Sequence, residues 1–179
     1  MKYFNKIDAE NIYLSPVNIE DAEKYVEWFA NSKISDNLHS TSKVFNIVNE
    51  NDWIADSLKN GNYIFSIIRK SDNTLIGNCG FNSLNHIDRT GTIGIFIGSS
   101  ENQNKGYGTQ ALNALVNYGF SVLNLNNIDL QVFDFNERAI KCYRKVGFKE
   151  YGRRHQAYYV NCEYHDVVFM ELLKEDYYK

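Results

Sequence analysis

The first sixty residues carry one short β pattern and two helical patterns. The apolar run "IYL" (12–14) stands before a Ser15-Pro16 turn, which indicates a strand followed by a change of direction. Apolar residues then recur at the spacing of one helical face: Ala22, Tyr25, Val26 and Phe29. A second helix is predicted in "NENDWIADSLKNG" (49–61), with Trp53, Ile54 and Leu58 sharing a face and Asn60-Gly61 as its stop.

The middle of the chain changes to a β pattern. In segment 62–85, β-branched and aromatic residues flank a polar "KSDN" turn, which predicts a hairpin. The run "TIGIFIG" (92–98) alternates Ile93, Ile95 and Ile97 with other residues. It predicts a third strand of the same meander, and this strand leads directly into the glycine-containing loop "QNKGYGT" (103–109).

Helix and strand alternate beyond this loop. A helical face is formed by Leu112, Leu115, Val116, Gly119 and Leu123. The β-rich run "NIDLQVF" (127–133) follows, then the helical segment "NERAIKCYRKVGF" (136–148) and two strands joined near Asn161. This order predicts an α+β fold, a mixed arrangement in which part of the sheet is parallel. Since no repeat or linker interrupts it, we expect one domain spanning residues 1–179.

Composition and charge restrict the possible partners. The chain is 44% hydrophobic, so it is expected to fold by itself. Its net charge is −3 and its basic residues are scattered, which argues against nucleic acid as a partner but is compatible with a cationic amine. The N-terminal residues lack a signal-peptide pattern and no long apolar run is present, so neither secretion nor a membrane partner is expected.

Cysteine and histidine spacing gives no indication of a metal site. Cys79, Cys142 and Cys162 are odd in number and widely spaced, which favours a reducing cytoplasm over a disulfide framework. The four histidines, His39, His86, His155 and His165, show no ligand spacing. His165-Asp166 is expected to support the closing hairpin rather than to form a catalytic dyad.

The loop at 103–109 has the composition of an anion site. Gly106 and Gly108 allow the backbone N–H groups to turn inward, and the helix that follows adds unpaired donors and the positive end of its dipole. A flexible strand-to-helix turn explains the same two glycines equally well. The P-loop pattern is absent, and Ala111 stands where the dinucleotide fingerprint needs its third glycine.

Two spaced motifs resemble the GCN5-related N-acetyltransferases, the GNAT superfamily. "QNKGYG" (103–108) is similar to the family's Q/R-x-x-G-x-G/A signature, which lies between its fourth strand and the next helix. "NERAIKCYRKVGF" (136–148) resembles the second signature, N-x-x-A-x-x-x-Y-x-x-x-G-F. The resemblance covers roughly residues 12–173, and its finer features are similar to the branch of ribosomal-protein N-terminal and spermidine acetyltransferases. It implies the GNAT fold, a mostly antiparallel sheet with a splayed parallel pair.

The resemblance also implies acetyl-CoA as cosubstrate and an amine as acceptor. Backbone groups of Phe96, Ile97 and Gly98 are expected to contact pantetheine. The diphosphate is expected on the loop residues Gln103, Asn104, Lys105, Gly106, Tyr107, Gly108 and Thr109, with Lys105 as a charge at the rim. Asn136 is expected to hydrogen-bond the pantetheine arm. A homodimer is compatible with this interpretation, and the sequence leaves the oligomeric state open.

Tyr143 is the expected catalytic residue, because a phenol near the sulfur can protonate the departing thiolate. Outside its motif, Tyr143 would be interpreted as an ordinary aromatic on a buried helical face. A general base is not identified: many relatives carry Glu in an E-I-G triplet, and this chain has Thr92-Ile93-Gly94. Water, Asp129 or Glu163 are the alternatives.

Two other functions stay open at this point. An acyl-CoA-binding sensor would keep the cofactor cleft without turnover, which the missing Glu favours and Tyr143 opposes. A nucleotide-binding protein would use the same loop for ATP or NAD in preference to CoA.

Overall fold

The computed structural model describes residues 2–38, 40 and 42–179. In these ranges eight strands form one sheet in the order β1-β2-β3-β4-β5-β6-β8-β7. The strands are β1 (Ile7–Asp8), β2 (Ile12–Pro16), β3 (Ile64–Arg69), β4 (Thr74–Asn85), β5 (Thr90–Ile97), β6 (Asn127–Phe133), β7 (Lys149–Val160) and β8 (Glu163–Leu173). All neighbours are antiparallel except β5 and β6, so the predicted α+β fold with a partly parallel sheet is confirmed.

Helices cover both faces of this sheet. They are α1 (Ala22–Phe29), α2 (Ser32–Ser35), α3 (Ile47–Lys59), α4 (Tyr107–Ser121), α5 (Glu137–Val146) and α6 (Lys174–Tyr177). The larger core lies between the sheet and the pair α4 and α5, whereas a second core centred on Tyr25 and Ile54 lies under α1 and α3. Both faces are therefore buried, and the functional surface has to open at a strand end or between strands.

The predicted elements exist, and the errors concern faces and ends. Of the three α3 residues predicted to share a face, Ile54 is fully buried, but Trp53 is 40% and Leu58 48% exposed. The buried positions of α3 are Glu50, Ile54 and Ser57, because this row at i, i+4 and i+7 faces the core under α1. Leu123 lies beyond the end of α4 at Ser121, and the two-residue strand β1 was not predicted.

The parallel pair of strands diverges after a few residues. β5 and β6 are in register at only three positions, Thr90 with Asn127, Gly91 with Ile128 and Thr92 with Asp129. The remainder of β5 stays paired with β4 through Ile97, and the Gly98 N–H donates to Ile76 O at 2.9 Å. The splayed pair that the resemblance implied is thus present, and it opens a gap between β5 and β6 from Ile93 onward.

Trp28 of α1 lies against β5 at the mouth of this gap. A Cβ atom at Gly98 would overlap the Trp28 ring, so only glycine leaves room for the indole. The Trp28 ring also meets Phe96 edge-on, with 5.9 Å between centroids. The first-half helices are therefore anchored to the strand that borders the gap. In the described ranges no helix combines the length and apolar character needed to cross a bilayer.

Candidate active site

The loop between β5 and α4 presents free backbone donors. Gly106 is the N-cap of α4 with φ +80°, a left-handed conformation that favours glycine, and Asn104 has φ +59°. The first helical bond runs from Gln110 N–H to Gly106 O at 3.0 Å, and no side chain caps the helix. The N–H groups of residues 107–109 therefore precede the helical ladder and face outward at the positive end of α4, as an anion requires.

Side chains from other elements hold this loop in place. Arg69 at the end of β3 donates from Nη1 to Asn102 Oδ1 at 2.6 Å, and Asn102 Nδ2 donates to Ser99 Oγ at 2.8 Å. On the other side, Arg138 Nη1 of α5 donates to Gln103 Oε1. Asn102 is almost fully buried, so the loop begins on a fixed point rather than on a mobile turn.

A cleft of about 640 Å³ runs from this loop through the gap between β5 and β6. One side is bordered by the loop and α5, and the other by α2 with the 3₁₀ turn Asp36–Leu38. Its volume lies within the range of sites for organic ligands. The two ends differ in surroundings, so a long ligand on the loop can reach a second molecule entering beside α2. We call the end beside the loop and α5 the loop half, and the end beside α2 and the 3₁₀ turn the acceptor half.

The unpaired edge of β5 offers main-chain groups along the cleft. In an antiparallel ladder opposed residues alternate between hydrogen-bonded and non-bonded pairs. Because Gly98 bonds to β4, the same alternation directs the main-chain groups of Phe96 toward β4 and those of Ile93, Ile95 and Ile97 toward the gap. Ile95 thus offers main-chain groups that the sequence did not identify. Ile97 O accepts from Gln103 Nε2 at 3.5 Å, and the N–H of Gly98 is already used.

Helix α5 supplies the residues of the second motif. Asn136 caps the helix, its Oδ1 accepting from Ala139 N–H at 3.2 Å, and its Nδ2 is left as a donor toward the cleft. Tyr143 is 8% exposed and borders the same cleft two turns further on. The turn after it is fixed, since Gly147 at φ +114° and Phe148 both donate to Tyr143 O. Burial raises the pKa of the Tyr143 phenol above its ordinary value of 10.0.

The charge along the cleft is of one sign. Its described lining includes the side chains of Lys33, Arg138, Lys141 and Lys145 and no aspartate or glutamate. Three of the four cations lie on α5 beside the loop, at 138, 141 and 145, the spacing of one helical face. An anionic ligand of several charges fits this half of the cleft.

Most of the residues predicted for the site come together around the cleft. Those that border it are Phe96, Ile97, Gln103, Asn104, Gly106, Gly108, Thr109, Asn136 and Tyr143. Gly98, Lys105 and Tyr107 lie outside its lining, because Gly98 is covered by Trp28, Lys105 is exposed on the loop, and Tyr107 packs on the larger core.

Sequence reasoning missed the acceptor half and the cations of α5. The missed residues include Lys33, Asn37, Asn82, Thr92, Gln131, Arg138, Lys141 and Lys145. The helical spacing of residues 138, 141 and 145 in the second motif could have revealed the cations. The others come from separate elements, and no pattern in the chain connects them.

His86, His155 and His165 are not part of the described lining of this cleft. His165 Nδ1 contacts Asp134 Oδ1 at 3.1 Å, and Asp166 instead contacts His155 Nδ1 at 3.0 Å and accepts from the Gln156 N–H at 2.9 Å. Both members of the His165-Asp166 pair therefore brace the β7–β8 hairpin separately. His39 lies outside the described residues. Asp129 and Glu163, the two carboxylates considered as bases, are not part of the described lining.

Comparison with known proteins agrees with this geometry. Residues 11–149 match the family model described as the acetyltransferase (GNAT) domain. N-acetyltransferase p20 of Bacillus licheniformis is 29% identical over 94% of this chain and 96% of its own. Spermidine N(1)-acetyltransferase of Escherichia coli K12 is 37% identical over about half of each chain, 52% and 50%.

One solved structure shows how closely the fold is shared. The spermidine N-acetyltransferase of Vibrio cholerae, solved with CoA and spermine, superposes with a TM-score of 0.85 over 94% of this chain and 99% of that chain. At 23% identity this likeness shows the fold alone.

Proposed function

This chain belongs to the acetyltransferase (GNAT) domain family, and from that premise we propose that it transfers the acetyl group of acetyl-CoA to a primary amine. The observation that carries the proposal is the continuity of the cleft, which joins the loop donors, the open edge of β5 and the Tyr143 hydroxyl. A diphosphate on the loop and a thioester beside Tyr143 would be joined by an extended arm along β5.

The residues present fit acetyl-CoA. A Cβ atom at Gly106 would meet no other atom within 4 Å, so the face of the loop is open to a bulky anion. Arg138 and Lys145 supply positive charge beside it for phosphate groups, whereas Lys141 is paired with Glu137 Oε2 at 3.2 Å. The main-chain groups of Ile95 and Ile97 are oriented to bind amide groups of pantetheine as an added strand would, and Asn136 Nδ2 is a further donor.

Tyr143 is proposed to assist departure of the sulfur. The nitrogen lone pair of a neutral amine attacks the thioester carbonyl, a C–N bond forms, and the C–S bond breaks with its electron pair on sulfur. The Tyr143 hydroxyl then donates a proton to that thiolate and recovers one from the amine through solvent. Burial keeps the phenol protonated at neutral pH, so the donor is always in its active form. Main-chain N–H groups of β5 that face the gap can polarise the carbonyl.

The experiment is an acceptor screen that measures release of CoA thiol. The protein with acetyl-CoA is incubated with polyamines, amino acids, peptides with free N-termini and aminoglycosides. Release above the solvent rate with at least one amine supports the proposal. Tight acetyl-CoA binding without release for any amine would refute it.

One observation favours a second candidate, a non-catalytic acyl-CoA sensor. The described lining of the cleft holds no carboxylate that could act as a base, and Thr92 stands where many relatives carry glutamate. Tyr143→Phe separates the two, because a sensor would bind acetyl-CoA and function as before, whereas the enzyme would lose turnover.

The remaining expectations about the whole protein join this proposal. We place it in the cytoplasm as one catalytic domain over residues 1–179. Its three cysteines are all free, with Cys162 exposed, which suits a reducing compartment.

A further inference from the structure

The acceptor half of the cleft has an unusual charge for a site that receives an amine. Its described lining consists of Lys33, Ile34, Asn37 and Leu38 on one side and Asn82, Thr92, Gly94, Phe96 and Gln131 on the other. Lys33 is the ionisable side chain of this set, and it is a cation. A ligand with several positive charges would meet repulsion here rather than pairing.

Lys33 is also available to a ligand. Its side chain makes no ion pair or hydrogen bond within the part of the chain that the structure describes, and it is exposed on α2. Its backbone is fixed, since Lys33 N–H donates to Asn31 Oδ1 at 3.1 Å and Lys33 O accepts from Asn37 Nδ2 at 2.9 Å. A held backbone and a free ammonium group are what a contact to an incoming carboxylate or carbonyl needs.

Three carboxylates close to this half in the fold lie outside its described lining. Asp129 is opposite Thr92 and Glu171 opposite Asp129 in the strand register, so the side chains of Thr92, Asp129 and Glu171 share one sheet face. Both carboxylates lie beside Tyr151, whose pKa they raise together with burial, and Glu171 accepts from Asn127 Nδ2 at 2.7 Å. Asp36 accepts from Asn161 Nδ2 at 3.1 Å. None of the three is part of the described lining.

The neutral side chains around Lys33 fit a carbonyl or amide. Asn37 keeps Oδ1 as an acceptor because its Nδ2 is used on Lys33 O, and Thr92 offers a hydroxyl. The Asn82 amide lies over Gly94, where a Cβ atom would come within 2.9 Å of Nδ2. These groups discriminate by hydrogen bonding and not by charge.

The protonation state of the acceptor amine provides a second argument about the acceptor. Attack requires a neutral amine, and the described lining of the cleft holds no carboxylate to remove a proton. At pH 7.5 the α-amino group of a peptide, with pKa near 8, is about one quarter neutral, whereas an alkylamine with pKa near 10.4 is only about 0.1% neutral. The α-amine is the less basic of the two amines and therefore the weaker nucleophile, which offsets part of this advantage. A described lining that holds no catalytic carboxylate still favours the α-amine, because more of it is already neutral.

We infer that the acceptor is an α-amino acyl compound, a molecule with an α-amino group beside a carbonyl, and that polyamines are poor acceptors. This inference rests on the proposed acetyltransferase function and narrows its substrate class. Lys33 is assigned as a specificity residue that contacts the carbonyl or a nearby carboxylate. Free amino acids and peptide N-termini share this chemistry, and the experiment separates them.

The test compares kcat/KM for three acceptors with acetyl-CoA at saturation: an amino acid, a tetrapeptide with a free N-terminus, and spermidine. At pH 7.5 we expect kcat/KM for the better of the first two acceptors to exceed that for spermidine by about tenfold or more. This factor is what is left of the difference in neutral fraction after the lower nucleophilicity of the α-amine is taken into account. Between pH 7 and 10 the rate with the tetrapeptide should level off near the pKa of its N-terminus, about 8, while that with spermidine should continue to rise.

Charge reversal at Lys33 tests the specificity assignment. Lys33→Glu should lower kcat/KM for the α-amino acyl compound at least fivefold and raise it for spermidine, with the KM for acetyl-CoA unchanged. Lys33→Gln should give a smaller loss and no gain with spermidine. Lys59→Glu, at an exposed position at the end of α3, is the control for net charge and should change neither acceptor.

The outcomes are distinguishable from failure of the acetyltransferase proposal. A preference of the parent protein for spermidine overturns the inference while the enzyme function stands. So does a Lys33→Glu variant whose kcat/KM values for both acceptors equal those of the parent protein. Loss of turnover in Asp129→Asn would also overturn it, because that carboxylate would then be the missing base. Absence of turnover with every acceptor removes the proposed function itself.

Discussion

Tyr143 belongs both to the hydrophobic core and to the lining of the cleft. Its ring packs in the larger core against Phe148, with 6.0 Å between centroids, and the residue also borders the cleft. The structural and catalytic interpretations of this residue are therefore compatible. A substitution that keeps the ring and removes the hydroxyl separates them.

Tyr143→Phe should lower kcat about 100-fold or more, because it removes a general acid while the ring still fills the core. The KM for acetyl-CoA and the unfolding midpoint should change little. Tyr164→Phe, at an exposed tyrosine of β8, is the matched control and should keep full activity. Comparable rates for Tyr143→Phe and the parent protein would show that another group protonates the sulfur.

The pH dependence of kcat follows from the direction of the Tyr143 shift. A phenol loses its proton as pH rises, so a raised pKa extends the protonated form toward more alkaline pH. We expect kcat at saturating acceptor to show no descending limb up to about pH 10, the ordinary pKa of tyrosine. Steady-state rates in buffers of constant ionic strength measure this. A decline centred near pH 8 would indicate a different acid.

Gly98 is a residue whose importance comes from its neighbour. Gly98→Ala should destabilise the protein by about 1–3 kcal/mol, because a methyl group would overlap the rigid, buried Trp28 ring. Gly152→Ala is the matched control, since a Cβ atom there meets nothing within 4 Å. Urea unfolding of both variants measures the difference. Equal stabilities would mean that α1 shifts without cost.

At the scale of elements, the loop before α4 is organised by residues outside its motif. The motif itself provides the left-handed glycine and the helix start, which the sequence predicted from composition. The anchors of the loop, Arg69 at the end of β3 and Arg138 on α5, are 33 and 35 residues away from their partners in the chain. Long separations of this kind leave no periodic signal, so the sequence could not reveal the anchors.

Loss of the Arg69 anchor should weaken cofactor binding. We expect Arg69→Ala to raise the KM for acetyl-CoA about tenfold, because a hydrogen bond to a charged group contributes about 1.5–3 kcal/mol. Arg69 also pairs with Asp72 at 2.5 Å, and Asp72→Ala therefore serves as the control that breaks the ion pair and leaves Asn102 anchored. If Arg69→Ala and Asp72→Ala gave the same KM for acetyl-CoA, the effect would come from the Arg69–Asp72 ion pair in the β3–β4 turn and not from the bond to Asn102.

At the scale of the whole molecule, the two ends of the chain meet at the acceptor half. The β7–β8 hairpin reaches back to the turn after α2, where Tyr158 Oη donates to Asp36 O at 3.1 Å and Asn161 Nδ2 to Asp36 Oδ2. More than 120 residues separate these partners. The wall that receives the acceptor is thus positioned by the last hairpin of the sheet.

This connection predicts a selective effect on the acceptor. Tyr158→Phe should raise the KM for the amine about three- to fivefold, since one hydrogen bond contributes about 0.5–1.5 kcal/mol, and should leave the KM for acetyl-CoA unchanged. Tyr159→Phe, whose exposed ring lies against Tyr164, is the neighbouring control. A parallel change in both KM values for Tyr158→Phe would mean a general loss of structure.

The amino-acid sequence by itself determined the class of fold, the order of the main elements and the loop half of the site. These depend on local physics: periodic burial marks strands and helices, and a glycine-containing turn before a helix is compatible with an anion site. The two motifs then implied the family, which the comparisons confirmed.

Only the tertiary structure decided the buried face of α3, the available edge of β5 and the acceptor half. In α3 the buried face depends on contact with α1, which selects Glu50 and Ser57 over the more apolar Trp53 and Leu58. Along β5 the free groups are fixed by pairing with β4. The acceptor half gathers α2, β4, β5 and β6, and its charge emerges from side chains that are neighbours in space and not in the chain.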